Sequence, residues 1–170
     1  MKRHALPVAT VLTIATIGTI ATLAIIITSP KTPAPTPFRL ERVSDSLYYL
    51  GDWPLPYPVY QMQTGDVDGD GSVDAMVGVI KSTRFHLESD RRLFIFKQVN
   101  GKVRPMWLGS RLGRRLIDFR FTGGRIRALE QVTDSAFSVA EYRWHDFGME
   151  FERFIMKNDS HEAALKAFKQ

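Results

Sequence analysis

The chain reads as an all-β, antiparallel meander of about eight strands, with one N-terminal transmembrane helix ahead of it and a short C-terminal helix behind. Three observations predict this. From residue 38 onward, aromatic and β-branched residues alternate with polar ones at period two. Glycine-bearing turns interrupt the runs at hairpin spacing: Asn100-Gly101, Thr122-Gly123-Gly124 and His145-Asp146-Phe147-Gly148. Ahead of them, residues 8–27 carry no charge, and as a helix they cover about 30 Å, the thickness of a bilayer core.

Residues 1–28 are read as a signal anchor that meets the lipid bilayer through residues 8–27. Lys2 and Arg3 precede the apolar run closely, which keeps the N-terminus cytoplasmic and sends the main domain to the periplasmic or extracellular side. The run ends Ile25-Ile26-Ile27-Thr28-Ser29-Pro30, with bulk where a signal peptidase needs small residues. That favours a retained anchor; cleavage would make the protein secreted. Residues 29–37 hold four prolines and form an extended, semi-rigid linker.

The extracytoplasmic β domain spans residues 38–158. Residues 50–58 contain Pro54, Pro56 and Pro58, too many for a central strand, and are read as a lid that packs Trp53 and Tyr57 across one end. The strands then fall at residues 59–64, 74–80, 92–99, 102–108, 116–121, 125–132, 137–144 and 149–156. The aromatic stripe of the last two is read as the core face of a sheet. Residues 159–170 form a helical tail, with Asp159 or Ser160 as cap and Glu162 in the first turn.

Composition removes several function classes. With no cysteine there is no disulfide framework, thiolate zinc site or cysteine nucleophile. His86, His145 and His161 are widely spaced and match no metal-ligand or nucleophile pattern, so no catalytic residues are assigned and the chain is not read as an enzyme. No nucleic-acid-binding signature occurs, and no nucleic-acid partner is expected.

The sharpest motif is residues 65–74, Gly-Asp-Val-Asp-Gly-Asp-Gly-Ser-Val-Asp. Asp66, Asp68, Asp70 and Asp74 stand at relative positions 1, 3, 5 and 9, and the Ser72 carbonyl at position 7 adds an oxygen. Gly69 and Gly71 permit the tight turn that points these groups inward. Four like charges this close repel one another without a cation, so the motif predicts bound calcium as a structural cofactor. Val77 stands where a helix–loop–helix calcium site has its glutamate, so the loop belongs to another architecture.

The Asp-x-Asp-Gly-Asp-Gly-x-x-Asp loop, followed by Ala75-Met76-Val77-Gly78-Val79, resembles the FG-GAP/VCBS repeat of integrin-α-type β-propellers. The resemblance covers residues 59–110 and implies that Asp66, Asp68, Asp70, Ser72 through its carbonyl, and Asp74 bind calcium between two strands of a blade. Only one such loop occurs, so it implies an isolated or partial propeller blade pair rather than a closed ring.

Charge is segregated along the domain. Residues 81–127 hold thirteen basic residues against three acidic ones, and are densest at Arg111, Arg114 and Arg115, a candidate anion-binding group. An envelope protein or an anionic glycan is the partner this suggests. Together these features point to a membrane-anchored extracytoplasmic binding or assembly module with a structural calcium site. One alternative is an envelope hydrolase acting on glycan or peptide, which needs acids such as Asp118, Glu141 or Glu150 gathered in a concavity. Another is a structural subunit that oligomerises through its anchor and sheet edges.

Overall fold

Period-two alternation and tight turns build a chain in which each strand pairs with its neighbour in sequence. The computed structural model describes residues 38–84, 86–109 and 111–170. The anchor and the proline-rich linker lie outside the described residues. Within those residues, no helix is long and apolar enough to cross a membrane.

Among the described residues, eleven strands form three antiparallel sheets, each made of consecutive strands. The first sheet holds β1 (Leu40–Ser44), β2 (Leu47–Leu50) and β3 (Trp53–Leu55). The second is β4 (Val59–Gly65), β5 (Asp74–Thr83), β6 (His86–Val99) and β7 (Lys102–Leu108). The third is β8 (Arg115–Thr122), β9 (Arg125–Gln131), β10 (Phe137–His145) and β11 (Gly148–Asp159). Helix α1 (His161–Lys169) follows, with the Ser160 hydroxyl accepting from the Ala163 N–H at 3.3 Å.

The expected eight strands are therefore eleven. The three additional ones form the first sheet, and their side chains explain why alternation did not reveal them. β1 is exposed along most of its length and carries Glu41 and Arg42. β3 contains Pro54 but is an edge strand, where a missing N–H is tolerated. The lid thus contributes a strand, and it still covers the core: the Trp53 ring lies 6.0 Å from Phe96, and Tyr57 lies 6.0 Å edge-on from Phe94.

The second sheet is a middle layer. On one face, Ala75, Val77, Val79, Phe94, Phe96 and Val103 pack with Leu50 and Leu55 of the first sheet. On the other, Met76, Leu93 and Ile95 pack with Leu116, Phe119, Ile126 and Ala140 of the third. Burial on both faces is why residues 75–80 read as a continuous apolar run. Helix α1 seats Ala164, Ala167 and Phe168 against Leu129 and Val139 of the third sheet.

Close approach fixes two glycines. A Cβ on Gly78 would sit 2.4 Å from the Tyr60 ring, and one on Gly65 would sit 2.2 Å from the Phe121 ring. Phe121 of the third sheet thus lies directly over the residue at which the acidic loop begins.

Candidate metal centre

Gly65 pairs with Asp74 as the last rung between β4 and β5, so residues 66–73 must reverse the chain on their own. Gly69 (φ 76°) and Gly71 (φ 83°) take the left-handed conformations this needs. Carboxylates then accept the backbone N–H groups that no strand neighbour receives. Asp66 accepts from Gly69 at 2.8 Å and from Gly71 at 3.0 Å. Asp70 Oδ1 accepts from Ser72 at 2.8 Å, and Asp74 Oδ2 accepts from Val67 at 2.9 Å. Val67 is itself buried in the core between the second and third sheets, which ties the loop to the fold.

Asp66, Asp68 and Asp74 each bring a carboxylate oxygen within 4.8 Å of the others. Asp74 is fully buried, and its Oδ1 has no hydrogen-bond partner among the described residues. Burial pushes the Asp74 carboxyl up to about 6, opposed by the Val67 N–H and reinforced by the charges of Asp68 and Asp70. A buried carboxylate with one oxygen unpartnered, grouped with two more carboxylates, favours the arrival of positive charge. The donors are all oxygen, which suits a hard cation such as calcium or magnesium.

Not every residue of the sequence motif converges. Asp70 stands outside the group of three. Its Oδ2 turns to the Lys97 ammonium at 3.1 Å, while Lys97 also donates to Asp68 Oδ2 at 2.7 Å. The Ser72 N–H, and after it Lys97, hold the Asp70 carboxyl below the usual carboxylate range. Ser72 enters the described hydrogen bonds of the loop through its N–H. Lys97 was not singled out in the sequence, though the hairpin register carries the signal: Phe96 pairs with Ala75, which brings the next residue of β6 beside the loop.

Arg111 shares one recess with Arg114 and another with Arg115, and each of the three makes its own contacts. Arg115 Nε donates to Asp90 at 2.8 Å and its guanidinium also reaches Gln131. Arg114 gives its backbone N–H to Glu130 at 3.0 Å. Arg111 lines an open cleft at the β5–β6 turn with Lys81, Arg84, His86 and Arg92. The three acids that a hydrolase would use are each held by separate partners. Asp118 accepts from Gln61 at 2.7 Å, Glu150 from Arg143 at 2.9 Å, and Glu141 from Arg127 and Arg153.

Compared with protein-family models, curated proteins and solved structures, the chain matches none of them.

Proposed function

We propose that this chain is a calcium-stabilised binding or assembly module, anchored through residues 8–27 and presented outside the cytoplasm on its proline-rich linker. The observation that carries the reading is that the buried Asp74 keeps an unpartnered Oδ1 among the described residues while its carboxylate lies within 4.8 Å of those of Asp66 and Asp68. A buried carboxylate oxygen without a partner is destabilising by about 1–3 kcal/mol, and a divalent cation removes that penalty. Asp66, Asp68 and Asp74 would hold the ion, and Lys97 balances the remaining charge through Asp68 and Asp70. The role is structural, because the loop closes the first hairpin of the middle sheet. Each face of that sheet packs on a different neighbour, so a loop that opens loosens both cores.

The resemblance to a partial propeller blade pair is supported by two successive four-stranded meanders, β4–β7 and β8–β11, with the acidic loop joining the first two strands of the first. The assembly half of the reading is supported by β11, an edge strand that leaves Phe151, Phe154 and Ile155 exposed.

Isothermal titration of the full chain in mild detergent with calcium tests the proposal. One calcium per chain is expected for the wild type, and none for Asp74→Asn. Absence of binding in the wild type, or binding unchanged in the variant, would overturn it.

A further inference from the structure

Towards the opposite end of β5 from the acidic loop lies a second buried charge, one that forms no ion pair among the described residues. Arg92 is on β6 opposite Val79, on the face that carries Phe94 and Phe96, and only 5 % of it is exposed. Its Nε is buried with no hydrogen-bond partner, and among the described residues no carboxylate pairs with its guanidinium. Gly109 closes over it: a Cβ there would sit 2.6 Å from the Phe94 ring and 3.3 Å from Arg92 Cβ.

Arg92 lines a cleft of about 660 Å³ together with Lys81, Arg84, His86 and Arg111. None of the described lining residues is acidic. The Lys81 ammonium lies 3.2 Å from the Tyr57 hydroxyl and 4.4 Å above that ring, and among the described residues it forms no ion pair, although Lys81 stands opposite Asp90 in the β5–β6 ladder. Arg111 forms no ion pair or hydrogen bond among the described residues. Two acids, Asp90 and Glu88, line an adjoining recess that Arg92 and Arg111 also line. Asp90 is taken by Arg115, and Glu88 makes no ion pair among the described residues.

A buried, unpaired arginine is strongly unfavourable unless an anion meets it, and the planar guanidinium fork matches two oxygens of an oxyanion. The charges of Lys81 and Arg111 at the same cleft suit a group that carries more than one negative charge. The cleft is larger than an inorganic ion needs, and Leu108 gives it an apolar wall. We propose that this cleft binds a phosphate-bearing ligand, with the phosphate seated between Arg92, Arg111 and Lys81.

The test uses the full chain in mild detergent with EDTA present, so that its outcome is independent of the calcium site. Inorganic phosphate is titrated at constant ionic strength against chloride, and glycerol 3-phosphate is titrated in parallel. Saturable binding of phosphate is expected, at least tenfold weaker in Arg111→Ala and lost in Arg92→Met. Arg92→Met is expected to melt at or above the wild type without phosphate, because it removes a buried charge. Should that variant fail to fold, Arg111→Ala, at an exposed position, carries the test. Tighter binding of glycerol 3-phosphate than of phosphate assigns a lipid headgroup as source, and equal binding assigns the free ion. No saturable binding of either, or binding unchanged in both variants, overturns the proposal.

Discussion

The middle and last sheets bury their charged groups in opposite ways. In the last sheet, Glu141 is almost wholly buried yet saturated: one oxygen accepts from Arg127 Nε and Nη2, the other from Arg153 at 2.8–2.9 Å. Its neighbour Glu130 accepts from the Tyr142 hydroxyl and the Arg114 N–H. In the middle sheet, Tyr60 Oη, Asp74 Oδ1 and Arg92 Nε are buried with no partner among the described residues. A buried charge satisfied within the fold stabilises that fold, whereas one left open stabilises it only when something else arrives. On the two proposals above, the charges of the last sheet serve structure and those of the middle sheet await ligands, towards the two ends of β5.

The comparison breaks most easily at Glu141. Replacing it by Ala strands two arginines and is expected to lower stability by about 3 kcal/mol, read as a fall in the denaturation midpoint. A loss no larger than that of Arg92→Met would erase the distinction between the sheets.

The next effect concerns pH in the absence of divalent cations. The Asp74 carboxyl titrates at about 6 in the folded chain, above the ordinary unfolded value of about 3.9. The folded state therefore holds this proton more tightly. Its contribution to stability is full below about 4, falls as pH rises towards 6, and is lost above that. The expected fall is on the order of 2 kcal/mol, seen in chemical denaturation between pH 4 and 7. Calcium, by binding the ionised form, should flatten the profile, and Asp74→Asn should flatten it without calcium. A wild-type profile that rises across the window contradicts the burial argument.

The smallest effect sharpens the role of Lys97. Lys97→Met removes a partly exposed ion pair and should destabilise the calcium-free chain by about 1 kcal/mol. It should also enlarge the increment that calcium adds, since the acidic loop then has lost its internal cation. An unchanged increment would place Lys97 outside the site.

Much of this architecture is legible in sequence because hairpin connections carry local signals. Asn100 (φ 53°) and Gly101 (φ 73°) adopt the paired left-handed turn that their identities announce, and Gly123 and Gly124 do the same. The run at residues 75–80 announces burial on both faces without saying what lies there. The first sheet was illegible because β1 and β2 bury little beyond Leu50, so no apolar stripe marks them. β6 starts at His86 rather than near Arg92 because His86, Asp90 and Arg91 pair across the hairpin instead of packing inward. The acidic loop was visible as a motif, but the turn of Asp70 towards Lys97 depends on strand register, which composition does not carry. Arg92 was hidden for a related reason. One arginine among thirteen basic residues in its segment looks like its neighbours until the sheet assigns it an inward face.

The central claim is that the middle sheet leaves Asp74 open for a cation. Thermal melts of the full chain in mild detergent, first in EDTA and then with calcium restored and magnesium as control, test it most directly. At calcium 100-fold above its dissociation constant the expected gain is about 2.7 kcal/mol, a rise of roughly 10 °C for a domain of this size. The rise should be selective for calcium and absent in Asp74→Asn. Melting temperatures that do not move with calcium, or that move equally in the variant, would contradict the account.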